Sequence, residues 1–327
     1  MKNLGLLTFL ILCVEGFLVA QPSPASKAGT SFVTFVDYQK TFTRPEESFR
    51  KKEDTLQKQF AQKGLKWPAN YIYIRSFKYD SQLEIWVKDE IGDPFKLFKT
   101  YKVCALAGSL GPKRMEGDYQ VPEGFYYINE FNPKSDYYLS LGINYPNLSD
   151  KKLSDSIRPG AGIYIHGSCV TVGCIPLTDE QISEVYILAA LARNQGQDYI
   201  PVHIFPVRYN VPRSLNYLNN LVKDDQELKK FEARLEDAFD YFDKYKQLPV
   251  VMIDDKGEYV INGAGNLKGK PEIEKPVKRI AVQHRERKVG TIADAVHEWP
   301  KFPGGGEAYA NTCRRLARTW WAICQKA

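Results

Sequence analysis

Histidine is scarce in this sequence, and its cysteines are not closely paired. Only four histidines occur in 327 residues, and none of the six cysteines forms a Cys-x-x-Cys pair. Structural zinc sites are usually built from such pairs together with histidine, so the common zinc-finger classes are not predicted. His297-Glu298 lacks the second histidine of a metalloprotease helix. We therefore predict no metal and no cofactor.

Long apolar runs are also missing. The apolar run near the N-terminus, residues 4–14, is shorter than the roughly 20 residues that cross a bilayer. It follows Lys2 and leads to Ala20, after which a polar stretch begins, a pattern typical of a secretory signal peptide. We predict a signal peptide at residues 1–20, export to the periplasm or cell envelope, and no transmembrane anchor.

A strong excess of one charge sign is absent as well. The formal net charge is +6, and basic residues are interleaved with acidic ones except near residues 278–288. A nucleic-acid-binding surface normally needs a concentrated basic patch. Nucleic acid is therefore not a predicted partner.

The sequence does contain a series of β patterns flanked by helical ones, which predicts an α+β fold that is mostly β. A helix is predicted at 45–63, and a second begins at the capping box of Thr178 to Gln181 and ends near Gly196. A loop rich in Pro and Asn is predicted between Asn132 and Asp155. Strands are predicted at 71–74, 83–87, 97–106, 124–128, 162–166 and 200–207.

The domain organisation follows from changes in composition. Residues 21–43 are predicted to be a linker, 44–210 a catalytic domain, and 211–265 an appendage of helices and a β-hairpin. Residues 266–327 are predicted to be a charged linker and a tail. After Asn311 the tail turns basic and rich in Trp, which suggests a truncated or frame-shifted terminus.

The stretch from Ile163 to Ile175 contains the residues that suggest chemistry. His166 and Cys174 are eight positions apart, and Gly167 and Gly173 disfavour a helix between them. If the chain turns back after His166, imidazole and thiol meet as a general base and a nucleophile. The backbone N–H groups at Gly173 and Cys174 could then stabilise an oxyanion, so acyl transfer is the predicted reaction class.

Two alternatives to this interpretation stay open on sequence alone. His166, Cys169 and Cys174 could be three zinc ligands, for which a fourth would be needed. A disulfide between Cys169 and Cys174 would silence the nucleophile; without Cys13 the chain keeps five cysteines, an odd number that leaves at least one thiol. His203 alternates with apolar residues and is predicted to be a strand-surface histidine outside the site.

These motifs resemble the L,D-transpeptidase (YkuD) family. His166-Gly167 followed by Gly173-Cys174-Ile175 is similar to the family signature, and the segment 110–126 is similar to the stretch that precedes it. The likeness extends from about Lys66 to Val207, and it is greatest to the YafK-like branch.

The resemblance implies a mostly β catalytic domain whose cysteine attacks the bond between a diamino acid and D-alanine in a peptidoglycan stem peptide. The acyl group on Cys174 would then pass to another stem, to a wall-linked protein or to water. It also implies that the carbonyl of Gly167 orients His166. A wall-binding module without catalysis is the alternative of another class.

Two positions depart from the family pattern. Val172 stands where many members have a second histidine, and Pro176 stands where many have arginine, a residue suited to bidentate recognition of a carboxylate. Lys113, Arg114 and Tyr164 are the residues that we predict to contact the substrate instead.

Overall fold

The computed structural model describes residues 33–262, and it confirms the predicted α+β fold. The predicted signal peptide 1–20 and the predicted tail 266–327 lie outside the described residues. The helices are α1 (Phe35–Lys40), α2 (Thr43–Gln62), α3 (Leu148–Leu153), α4 (Asp179–Asn194), α5 (Pro212–Val222) and α6 (Gln226–Tyr245). The strands are β1 (Tyr71–Phe77), β2 (Gln82–Lys88), β3 (Lys96–Lys102), β4 (Gly124–Asn132), β5 (Ser140–Ile143), β6 (Tyr164–His166), β7 (Ile175–Pro176), β8 (Ile200–Phe205), β9 (Val250–Ile253) and β10 (Tyr259–Asn262).

One mixed sheet organises the molecule. Its eight strands follow the order β3-β2-β1-β8-β4-β5-β6-β7, in which β1 and β8 are parallel and β6 and β7 are parallel. One face packs against α1, α2 and α4 in the main core. Because side chains alternate along a strand, every second residue points to the other face, where the candidate site lies.

Helix α4 forms where the capping box predicts it. The Thr178 side chain accepts a hydrogen bond from the Gln181 N–H, and the Gln181 side chain accepts one from the Thr178 N–H, so two donors of the first turn are satisfied. Most of the helix is buried between the sheet and α2. It therefore fixes the position of the chain that enters it, which is the segment that follows Cys174.

The predicted linker 21–43 is wrong over its C-terminal part. Thr34 and Asp37 form a capping box that begins α1, and α1 packs on α4. The buried Val36 and Gln39 explain why this short helix is stable: Val36 joins the main core, and Gln39 accepts a hydrogen bond from the Tyr186 hydroxyl at 2.6 Å. The folded unit thus begins at Thr34.

The predicted loop from Asn132 to Asp155 is also wrong in part, since it contains β5 and α3. Strand β5 has only four residues, and α3 begins at a capping box of Asn147 and Asp150. Pairing of β5 with β4 and β6 makes it an inner strand of the sheet, so tertiary hydrogen bonds decide its conformation.

The appendage packs against the opposite face of the sheet. Phe77 and Phe205 of the sheet form a second core with Leu235 and Phe239 of α6, and Tyr259 of the hairpin belongs to it as well. The predicted hairpin is confirmed, with β9 and β10 antiparallel. Residues 34–262 belong to a single compact unit, so the boundary at 210 separates segments that share one core.

Among residues 33–262, no helix is both long enough and apolar enough to cross a bilayer.

Candidate active site

His166 and Cys174 lie on neighbouring strands at one edge of the sheet. Strands β6 and β7 are parallel, with Ile165 opposite Ile175 and His166 opposite Pro176. If this register is continued by one residue, Cys174 lies opposite Tyr164. Tyr164 is two positions before His166 on β6, so the side chains of Cys174, Tyr164 and His166 lie on the same face of the sheet. The connection after His166 therefore returns the chain so that imidazole and thiol share a face.

The imidazole of His166 is fixed by its own neighbourhood. Its Nδ1 lies 2.6 Å from the carbonyl oxygen of Gly167, a distance at which we assign Nδ1–H as the donor, so that Nε2 keeps a lone pair. The ring of Tyr137 packs on the imidazole, with 4.7 Å between centroids. His166 is almost fully buried, and this burial lowers its pKa below 6.5. The side chain is therefore neutral near pH 7 and suited to accept a proton.

A disulfide holds the connecting loop between His166 and Cys174. Cys169 is bonded to Cys104, which follows β3, while Cys174 keeps its thiol. The alternative disulfide between Cys169 and Cys174 is therefore wrong. The zinc alternative loses Cys169 to the same bond, and no group of three potential ligands is found within residues 33–262.

Asp179 fixes the other side of this loop. Its Oδ1 accepts the Ser168 N–H at 2.8 Å, and Ser168 and Cys169 both adopt positive φ. A Cβ at Gly167 would lie 2.5 Å from the same Asp179 oxygen, so the close approach requires glycine. Asp179 was predicted only as part of a helix cap, and its second role could not be foreseen because Ser168 is eleven residues away in sequence.

Gly173 is required by its conformation, and its amide is engaged. Its φ is +137°, and a Cβ there would lie 3.0 Å from the carbonyl oxygen of Gln120. The Gly173 N–H donates to Thr171 Oγ1 at 3.0 Å, and the Thr171 hydroxyl donates to the carbonyl of Cys174 at 2.8 Å. The Gly173 amide would have to leave Thr171 to serve the predicted oxyanion role. The sulfur of Cys174 lies 3.7 Å from the carbonyl oxygen of Gly162.

The three residues predicted to contact the substrate have different environments in the structure. Lys113 is buried, and its ammonium group binds the Asp118 carboxylate and the Met115 carbonyl, so it is a structural residue that offers no charge to a substrate. Arg114 lies over the ring of Phe231, with one guanidinium nitrogen buried and without a hydrogen bond. Tyr164 lies beside Cys174 in the sheet, and its hydroxyl donates to Glu130 at 3.0 Å.

His203 lies outside the site, as predicted, but the prediction that it lies on the strand surface is wrong. Its Nδ1 is 2.9 Å from the Tyr73 hydroxyl, and the side chain is buried among aromatic rings. Burial lowers its pKa to about 3, so it stays neutral and serves packing.

Comparison with known proteins is consistent with this geometry. The L,D-transpeptidase catalytic domain family, YkuD, matches residues 82–204, which include both His166 and Cys174. The chain is 33% identical over 193 residues to "Putative L,D-transpeptidase YafK" of Escherichia coli strain K12, and the match covers 58% of this chain and 74% of that protein. The chain belongs to the YkuD L,D-transpeptidase family. The same identity and coverage apply to the protein of that name in Escherichia coli O157:H7.

Two solved structures show a lower similarity to this chain. The crystal structure of the helical cell shape determining protein Pgp2 from Campylobacter jejuni is 21% identical and has a TM-score of 0.33, covering 57% of this chain and 73% of that one. Bd1075 of Bdellovibrio bacteriovorus is 21% identical with a TM-score of 0.31, covering 53% and 63%.

Proposed function

We propose that this YkuD protein is an exported cysteine acyltransferase that acts on peptidoglycan stem peptides through a Cys174 thioester. The observation that supports this most directly is the neutral, buried His166, oriented by the Gly167 carbonyl on the same sheet face as Cys174. Export agrees with the Cys104–Cys169 disulfide, because such bonds persist in oxidising compartments.

The reaction divides into two acyl transfers. His166 Nε2 takes the thiol proton while the sulfur of Cys174 attacks the carbonyl between the diamino acid and D-alanine. When the tetrahedral intermediate collapses, the C–N bond breaks, and the imidazolium gives its proton to the departing amine. The thioester then reacts with an amine of another stem or of a wall-linked protein, or with water, and the thiol is regenerated.

Backbone amides of the nucleophile loop are the proposed oxyanion donors. Thr171 Oγ1 accepts the Gly173 N–H, so rotation of the Thr171 side chain about its Cα–Cβ bond is the step that would release this donor to the intermediate. Arginine is absent at the position of Pro176, and the buried proline there offers no carboxylate contact. Water as the final acceptor would make the same site a peptidoglycan L,D-hydrolase.

Incubation with purified muropeptides, followed by mass spectrometry of products and of the intact protein, tests this proposal. We expect an acyl adduct on Cys174 and release of D-alanine, and we expect Cys174→Ala to abolish both. Glu47→Gln is the matched control, because it alters an exposed carboxylate on α2 away from the sheet, and we expect it to keep both the adduct and the release.

The products also separate the alternatives. New cross-links or a protein-linked stem identify a transferase, and free tripeptide stems identify hydrolysis. Folded protein that binds muropeptides but yields neither adduct nor product would instead support the wall-binding module and would contradict the enzyme proposal.

A further inference from the structure

A bulge in β4 turns one carboxylate toward the candidate site. The pairing with β5 shifts between Ile128, opposite Ile143, and Glu130, opposite Gly142. Without the shift, residues 128 and 130 would point to the same face, and Ile128 belongs to the main core. The extra residue reverses the alternation, so Glu130 points away from the core.

Glu130 then begins a row of residues that crosses the sheet to the nucleophile. Glu130 is opposite Gly142, Gly142 is opposite Tyr164, and the continued register of β6 and β7 adds Cys174. The row on the opposite face consists of apolar residues of the main core or packed on it, namely Phe131, Leu141, Ile165 and Ile175. The alternation is therefore consistent over four strands, and Glu130 and Cys174 share a face.

Gly142 leaves room in the middle of this row. A Cβ there would lie 3.1 Å from Cε1 of Tyr164 and 3.0 Å from Cβ of Glu130, so the aromatic ring lies over the glycine. The Tyr164 hydroxyl donates to Glu130 Oε2 at 3.0 Å, which holds the carboxylate in one orientation and leaves Oε1 able to accept. With strands about 4.8 Å apart, the backbones of Glu130 and Cys174 are about 14 Å apart, and both side chains project into that span.

Within residues 33–262, the Glu130 carboxylate has no cationic partner. Glu130 is solvent-exposed, and no lysine, arginine or histidine among residues 33–262 forms an ion pair with it. Tyr164 joins the two ends of this row, since its hydroxyl donates to Glu130 and Cys174 lies beside it in the continued register of β6 and β7.

We propose that Glu130 is a specificity-determining residue that binds a primary ammonium group of the stem peptide, with the Tyr164 ring as the platform between this group and Cys174. The inference rests on the proposed function for the identity of the ligand. The ammonium belongs either to the acyl donor, at the distal end of its diamino acid, or to the acyl acceptor, and the chemistry of recognition is the same.

The first test compares a stem tetrapeptide that has its distal amine free with the same peptide N-acetylated at that amine. If the donor carries the ammonium, Glu130→Gln lowers kcat/KM for adduct formation about tenfold with the free amine, the loss expected for one charge-assisted hydrogen bond at a partly exposed site, and leaves the acetylated peptide unchanged. If the acceptor carries it, adduct formation is unchanged, and transfer to an amine acceptor slows about tenfold while hydrolysis does not.

Two further variants sharpen this test. Glu47→Gln removes an exposed carboxylate on α2 that pairs with Lys51, away from the sheet, and we expect no effect on either step. Tyr164→Phe keeps the ring but releases the carboxylate, so we expect a smaller loss than for Glu130→Gln, again only with amine-bearing peptides.

Binding measurements in the Cys174→Ala background separate this inference from the proposed function. Titration calorimetry with the free-amine peptide should show weaker binding when Glu130→Gln is added, provided the donor carries the ammonium. Equal losses with free and acetylated peptides, or no loss in any step or in binding, would overturn the ammonium site. If no acyl adduct forms but Glu130→Gln still weakens binding of the free-amine peptide, the enzyme proposal is overturned and the ammonium site is not.

Discussion

At the scale of single residues, the protonation of His166 decides when the candidate site can work. Burial removes the imidazole from water, and because water stabilises the charged form, the pKa falls below 6.5. The hydrogen bond to the Gly167 carbonyl acts in the opposite direction but is the smaller effect. The neutral imidazole that the proposed base step requires therefore persists into mildly acidic solution.

The pH profile of Cys174 acylation tests this protonation state. We expect the acidic limb of kcat/KM to lie below pH 6.5, because the rate falls only when His166 becomes protonated. Tyr137→Ala removes the ring that packs on the imidazole, so water reaches His166 and the limb should move up toward 6.5. An NMR titration of the His166 ring protons gives the same pKa directly; a limb above 6.5 in both proteins would contradict the argument.

The sequence identified His166 and Cys174 as the proposed catalytic pair, but it did not predict how the loop between them is held. His166 and Cys174 follow from residue types and a glycine-rich spacing. Cys104 is bonded to a loop cysteine that is 65 positions away in sequence, and Asp179 accepts a hydrogen bond from a loop residue that is 11 positions away. No local sequence pattern predicts contacts over such separations. Lys113 was expected at the substrate because it is charged, yet Asp118 neutralises it inside the loop.

At the scale of elements, α6 is joined to the start of β4 by two buried carboxyl groups. Lys78 forms an ion pair with Glu123 at 2.8 Å, with both side chains inaccessible to water. Glu232 of α6 hydrogen-bonds to Glu123, and one oxygen of each carboxyl group has no other partner. Two carboxylates cannot donate, so a proton on Glu232 supplies the missing donor. Burial first, and the charge of Glu123 second, raise the pKa of Glu232 well above 4.5.

Because the folded state holds this proton on Glu232, the free energy of unfolding should decrease as the pH rises. The folded state holds the proton that the unfolded chain releases above about 4.5, so the stabilisation is complete below that pH and declines as the pH rises toward the folded pKa. Glu232→Gln has no proton to lose. In urea unfolding from pH 5 to pH 8, we expect its stability relative to wild type to increase by up to about 1.4 kcal/mol per pH unit.

Glu123→Gln is the contrasting variant at the same contact. It leaves the Lys78 ammonium buried without a carboxylate, which costs about 3–5 kcal/mol. Equal effects of Glu123→Gln and Glu232→Gln, or a pH-independent difference between wild type and Glu232→Gln, would refute the shared proton.

Long or well-capped elements were predicted better than short ones. Helix α4 and the β9–β10 hairpin have local signals, a capping box and a turn, that act within a few residues. Strands β5 and β7 have four and two residues, too few to show a period, and their partners decide their conformation. The bulge before Glu130 was not predicted, since it depends on the register with β5.

At the scale of the whole molecule, the appendage completes the fold that supports the site. Phe77 and Phe205 of the central strands pack against Phe239, which α6 provides. Arg75 of β1 adds ion pairs with Glu84 of β2 and Asp243 of α6. Composition placed a boundary near residue 210, but composition cannot show that two segments share a core.

Because the Phe239 ring belongs to the core that the sheet and the appendage share, its removal should destabilise both segments together. Phe239→Ala leaves a cavity between sheet and helix that costs about 3–5 kcal/mol. We expect one lowered transition that coincides in far-ultraviolet circular dichroism and in the fluorescence of Trp67, measured with the other four tryptophans replaced by phenylalanine, since Trp67 packs on the main core and Trp86 contacts Phe242 of α6. A separate early transition, with the fluorescence midpoint unchanged, would mean that the appendage is an independent domain.

The disulfide also sets the order in which a newly made chain must mature. Among residues 33–262, Cys104, Cys169 and Cys174 allow three pairings, and two of them consume the proposed nucleophile. In an unfolded chain the neighbours Cys169 and Cys174 meet most often, because short loops close at the lowest entropy cost. Productive biogenesis therefore depends on β3 docking before oxidation, or on thiol exchange that returns the sulfur of Cys174 to its reduced form.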